Sequence, residues 1–450
     1  MARADRRLLC RWAVSIIIAG AVVRVGWAAW IAHAEHSAVR SPDTPTYLGP
    51  ARALIDAARF SVSPTDPTPM FVRTPGYPAF LAPVLWLTDS EWAISPMQAA
   101  VSALAAALIV LVGRRLLGLT AGLAAGALVM LDPLQFVASG TLLTEAVTTV
   151  VLVAIVAVGA VVFALRNPKD LRSMPVLALG ALVAVAALVR PTFWFYPVMI
   201  VGLLAVRFRH LPRRVLAARL LAFILPVAVV VGGWQLRNHT TAGSWQLSGI
   251  SSVNLYCYDA AEVETMDSGR TLDVVLDEFG CPPRDAGWGW MSDPGAGERL
   301  DEWGRRGVQI LLEHPAQYAR VLAGGIVRQI AGPGTDTVAR YLGIDPSPAL
   351  TAVLFVWNAL LWGVAVVGMV VGLRSTQRAF WVFVAATVAY VIVISAGQAA
   401  YARFRTPVVP LLALLAAYGL HRSVTWLRGR QPGSLRAEER ELTGTASAPP

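Results

Sequence analysis

Apolar runs of about 20 residues alternate with short basic segments along most of the chain. At 1.5 Å per residue, such a run matches the roughly 30 Å hydrocarbon core of a bilayer, so each predicts a transmembrane helix. We read about ten spans, near 12–32, 94–112, 119–137, 142–165, 174–190, 192–208, 217–235, 349–373, 378–396 and 404–421. The fifth and sixth are short and meet at Arg190-Pro191, as two helices or one kinked or re-entrant element. The first run exceeds a signal-peptide core and contains Arg24, so it reads as a retained span. ILLEHPAQYARVLAGGIVRQI (310–330) is amphipathic instead, and predicts one helix near the interface. The pattern is that of an all-α polytopic membrane protein.

Composition agrees: 56% of the 450 residues are hydrophobic and 15% charged. A net charge of +10 raises nucleic acid as a partner, but the cations sit in clusters between apolar runs. Arg3-Arg6-Arg7-Arg11, Arg114-Arg115, Arg166-Lys169-Arg172, Arg207 to Arg219, Arg374-Arg378 and Arg422-Arg428-Arg430 fall on every second connection. They mark the cytoplasmic side, which explains the charge without nucleic acid. The expected location is the plasma membrane, multi-pass, with both termini cytoplasmic. The organisation follows: a transmembrane module over 1–235 with a first extracytoplasmic loop at 33–91, an extracytoplasmic segment at 236–348, transmembrane helices over 349–421, and a disordered tail over 422–450.

Polar residues at the outer span ends carry the chemistry. FVRTPGYPAFLAP (71–83) begins an apolar stretch, Gly76 to Thr88, too short to cross and interrupted by Pro78 and Pro83. It predicts an outer-face interfacial element whose prolines stiffen the turn beside Arg73. Asp43 follows span one, and Glu145 opens span four, where an acid is costly unless partnered. Arg190 ends span five, Arg237-Asn238 end span seven, and Tyr401, Arg403 and Arg405 open span ten. The arginines either snorkel to headgroups or line a site. Converging, they suit a lipid-linked phosphate: guanidinium binds phosphate oxygens bidentately, and a carboxylate can take a proton from an acceptor hydroxyl. Arg24 lies deeper and needs a partner, for which Glu145 is a candidate. The histidines show no metal-ligand spacing. Cys257 and Cys281 share one segment, as a disulfide or as two thiols.

SPDTPTYLGPARAL, FVRTPGYPAFLAP, LLTEAV, VRPTFWFYP, GGWQLRNHTTAGSWQLSGISSVNLY, LLEHPAQY and YARFRTPVVPLLALLAAYGL, in this order, resemble a bacterial glycosyltransferase of the GT-C superfamily. Within it the sequence is similar to the family-39 branch of protein O-mannosyltransferases and lipid A aminoarabinose transferases. The resemblance implies a GT-C-like bundle with extracytoplasmic loop helices. It implies inverting sugar transfer from a polyprenyl-phosphate donor to a glycan, lipid or protein acceptor of the cell envelope. Asp43 and Glu145 match the catalytic acids, and Arg73, Arg237, Arg403 and Arg405 match positions near the donor phosphate. Tyr47, Tyr77, Arg190, Asn238 and Tyr401 are then substrate-positioning. Asp43, flanked by Pro42 and Thr44, lacks the acidic neighbour of many relatives, so a divalent metal finds no acidic pair there. Two other classes compete: a transporter or lipid-sugar flippase, expected to show midplane polar residues and repeated broken helices, and a non-catalytic assembly subunit.

Overall fold

The computed structural model describes residues 3–165, 167–282, 287–293 and 295–429. Seven helices there are long and apolar enough to cross a membrane: Cys10–Ala34, Glu91–Leu117, Glu145–Phe163, Pro191–Phe208, Arg213–Ala242, Pro348–Leu373 and Ala402–Ser423. A bent pair, Leu119–Leu131 and Pro133–Gly140, makes an eighth, while Ser173–Val189 and Arg378–Ile394 are apolar but shorter. Every expected run is therefore helical, but length alone supports seven crossings, or up to eight if the bent pair is one span, rather than the ten expected. Side chains such as Leu221, Val229, Val353 and Leu360 leave an apolar belt exposed, as a lipid-facing surface requires. Small residues let helices approach closely: a methyl at Gly368 would lie 1.8 Å from the Leu415 carbonyl oxygen.

Four expectations change. The span at 119–137 is not straight: it bends by 64°. Pro133 forces Asp132 out of helical geometry, and Asp132 then caps the second helix, accepting from the Gln135 amide at 2.9 Å. Carbonyls on both sides of this break are the partners of Arg24, not Glu145. Its guanidinium reaches Val129, Met130 and Gln135 oxygens at 2.7, 3.1 and 3.1 Å. The run 310–330 is two helices, Ala296–Glu313 and Pro315–Ala331, broken at His314 because the following proline starts a new helix. The last helix continues to Gly429, past the expected boundary at 421; the remainder of the expected tail lies outside the described residues.

The segments 33–91 and 236–348 pack on each other. Met70, Phe71 and Val72 sit in a cluster with Val253, Leu300 and Trp303. Gly249 and Ile250 amides donate to the Phe71 and Val72 carbonyls. Cys257 and Cys281 form a disulfide within the second segment. The short helix Gly76–Thr88 has the expected bounds and rests on the end of Ser173–Val189, where a Cβ at Gly76 would meet the Leu188 carbonyl carbon at 2.6 Å.

Candidate active site

Local chain chemistry brings two acids together. The Leu142 amide donates to Val39 O at 2.8 Å, and Thr44 Oγ1 donates to Leu142 O at 3.2 Å. These ties hold the first loop against the entry to helix Glu145–Phe163. Asp43 therefore lies beside Glu145, the first residue of that helix, where the positive end of the helix dipole favours a carboxylate.

Three arginines meet these acids. Arg73 donates Nη2 to Asp43 Oδ1 at 2.8 Å and Nε to Thr46 Oγ1 at 2.8 Å. Its guanidinium is sandwiched between the Tyr47 ring, 4.8 Å away, and the Trp288 ring, 4.7 Å away. Trp288 itself donates to Pro42 O at 3.1 Å. Arg403 bridges both acids at 3.8 Å, through Nη2 to Asp43 Oδ2 and through Nε to Glu145 Oε1. Arg190 Nη1 approaches the same Glu145 oxygen at 3.4 Å. Pro191 sets this up by ending the preceding helix and leaving Arg190 extended. Phe404 lies under both cations, 5.1 Å from Arg190 and 5.5 Å from Arg403.

The cluster thus has three guanidiniums against two carboxylates, an excess of one positive charge. Glu145 Oε2, Arg190 Nη1 and Arg403 Nε are buried without hydrogen-bond partners among the described residues. Donors and acceptors aimed inward with unused capacity fit a polar ligand. Beside them a cavity is lined by apolar Leu134, Val137 and Leu143 and by polar Glu145, Tyr401 and Arg403. Tyr47 and Tyr77 pack edge to face, 5.0 Å apart, and Tyr77 donates to Gln98. Burial pushes both phenols above their usual range, so they stay neutral. No group of three or more acidic, His or Cys residues poised for a metal occurs among the described residues. Both acids are instead engaged by guanidinium.

The structure does not bring Arg237, Asn238 or Arg405 to this cluster. Arg237 donates to Met70 O at 2.7 Å and Phe60 O at 2.8 Å, pinning the first loop. Asn238 donates to Gln246 O and Leu247 O. Arg405 is buried and donates to Gln329 O at 2.7 Å and Gly332 O at 2.6 Å. Tyr401 does reach the site, its ring 4.8 Å from the Arg403 guanidinium. Sequence reasoning missed Thr46, Trp288 and Phe404. Thr46 and Phe404 lie inside the quoted motifs, whereas nothing in the spacing marks Trp288.

Comparison with known proteins bears on this geometry. A family model described as dolichyl-phosphate-mannose-protein mannosyltransferase matches residues 72–234. Archaeal oligosaccharyltransferase AglB from Archaeoglobus fulgidus, in complex with an inhibitory peptide and a dolichol-phosphate, is similar in structure. Its TM-score is 0.52 at 12% identity, over 98% of this chain and 52% of that one. The apo form of the Archaeoglobus fulgidus enzyme gives 0.54 at 13%, over 96% and 52%. ArnT from Cupriavidus metallidurans bound to undecaprenyl phosphate gives 0.45 at 13%, over 91% and 78%. The chain spans about half the length of the two archaeal structures, 52% of each. No curated protein sequence matches it. The chain resembles the GT-C glycosyltransferases, and its helical membrane fold is similar to theirs.

Proposed function

We propose that this GT-C-like chain is a membrane glycosyltransferase that moves a sugar from a polyprenyl-phosphate donor to an extracytoplasmic hydroxyl acceptor, with inversion. One observation carries the reading: Arg73, Arg190 and Arg403 surround Asp43 and Glu145 with a single excess positive charge. A sugar phosphodiester of a lipid carries one negative charge at neutral pH, so the charges match. Asp43 Oδ1 is held by Arg73, which leaves Oδ2 to take the acceptor proton. The acceptor oxygen then bonds to the anomeric carbon as the carbon–oxygen bond to phosphate breaks. The electron pair stays on the phosphate, where the arginines stabilise the growing charge, and the proton passes to the departing lipid phosphate. Glu145 acts as the counter-ion that balances the charge of Arg190 and Arg403. Arg237, Asn238 and Arg405 belong to the scaffold in this reading. The transporter alternative gains little, since the deep cation of span one, Arg24, is spent on backbone carbonyls.

The test is transfer by the purified protein in nanodiscs, given a panel of radiolabelled polyprenyl-phosphate sugars and envelope acceptors. Asp43→Asn should lower transfer by about 100-fold or more while the protein still folds and inserts. Wild-type activity in that variant would sink the assignment.

A further inference from the structure

The loop that leads into Tyr401 and Arg403 is held from the side, by residues the proposed mechanism does not use. Arg328, on helix Pro315–Ala331, donates Nε to Ala400 O at 2.9 Å, and Nη2 to Gly397 O at 2.7 Å and Gln398 O at 3.2 Å. Asp259, in the π-helical stretch Asn254–Ala260, accepts the Gln398 amide on Oδ1 at 2.8 Å. Gly397 has φ +139°, and a Cβ there would lie 2.5 Å from that Asp259 oxygen. Only glycine lets the carboxylate come this close.

The other side of Arg403 is fixed too. Arg405 donates to Gln329 O and Gly332 O at the end of the helix that carries Arg328. Arg403 therefore sits between two anchored points, Ala400 and Arg405. Its guanidinium bridges Asp43 and Glu145 through contacts of 3.8 Å, too long to fix its own position. The Tyr401 and Phe404 rings that flank it belong to the same turn, so its position follows from that turn's backbone. Asp259 is a buried acid faced by Arg328 and Tyr318 of helix Pro315–Ala331. A buried carboxylate is costly, and here its visible return is the amide it holds.

We infer that Asp259 and Arg328 are positioning residues that clamp the 397–400 loop and so place the Arg403 guanidinium between Asp43 and Glu145. The inference rests on the reading of Arg403 as a phosphate-binding residue. It makes the 236–348 segment part of the phosphate site without touching the ligand.

The test is equilibrium binding of farnesyl phosphate, a short polyprenyl monophosphate, to the full chain in nanodiscs at constant pH. Arg403→Ala should weaken binding by about tenfold or more. Asp259→Ala and Arg328→Ala should each weaken it by about tenfold, whereas Asp259→Asn, whose amide oxygen still accepts from Gln398, should stay within about threefold of wild type. In an Arg403→Ala background, Asp259→Ala should add less than about twofold, because both act through one guanidinium. Unchanged affinity in Arg403→Ala would overturn the phosphate reading itself. Weakened Arg403→Ala binding beside wild-type Asp259→Ala and Arg328→Ala, or additive losses in the double variant, would overturn only the positioning role. Should Asp259→Ala not fold, Arg328→Lys decides alone: one ammonium does not span three carbonyls, and wild-type affinity there rejects the clamp.

Discussion

Two arginines two residues apart, in ARFRTP, have opposite fates. Arg403 points to the acids, and Arg405 is buried against Gln329 and Gly332 carbonyls. They lie in a 3-10 turn, Ala402–Val408, where residues two apart face different sides of the axis. Sequence shows two cations at a span entrance but not which side faces the site, so both read alike. Their substitutions should separate them. Arg73→Ala, like Arg403→Ala, should cut transfer by about 100-fold or more with a melting temperature near wild type. Arg405→Met should weigh the other way: it strands two buried carbonyls, at about 1–3 kcal/mol each, and shows first as a lower melting temperature, with a loss of transfer smaller than that of Arg403→Ala. A thermal shift paired with the transfer assay reads both quantities on the same samples.

Short elements were legible where breakers stood out. The helix Gly76–Thr88 has the bounds read from FVRTPGYPAFLAP and its continuation, because its prolines and small size excluded a span. The same breaker chemistry at Asp132-Pro133 and His314-Pro315 was overridden by apolar content on both sides, although a capping acid before proline is itself a start signal. The contact of Trp288 with Arg73 was illegible for another reason. It joins two loops far apart in sequence, and only their packing places the ring. Trp288→Ala should lower transfer by about two- to thirtyfold, the value of one cation–π contact. Trp288→Phe keeps a ring over Arg73 and should recover most of the loss, which steady-state rates at fixed donor concentration will show. A loss in Phe equal to that in Ala would assign the effect to the hydrogen bond with Pro42 O instead.

At the scale of the whole molecule, the helical state of the apolar runs was legible because bilayer thickness acts on each of them alike, whereas the number of crossings was not: ten were expected, and seven helices, or up to eight with the bent pair, are long enough. The cost of the clamp is a global quantity as well. Burial raises the Asp259 carboxyl from 3.8 to about 6, against the pull of the Gln398 amide and Arg328. The folded state thus holds a proton between those values that the unfolded chain has lost. This group's contribution is most favourable below pH 4, declines as pH rises through that window, and is at its worst above pH 6. Asp259→Asn should therefore exceed wild-type stability by up to about 3 kcal/mol at pH 8 and converge with it near pH 4. Thermal unfolding of the two proteins across that range tests the sign. The fold makes sidedness a single question. The segments 33–91 and 236–348 share backbone hydrogen bonds and one buried cluster, so they occupy one side of the membrane. The disulfide between Cys257 and Cys281 belongs to an oxidising compartment, which argues for the outer side. Topology reporters fused after residues 60 and 290 should both read outside. Opposite readings would contradict the packing of the two segments, and a shared cytoplasmic reading would remove the extracytoplasmic acceptor while leaving the cluster intact.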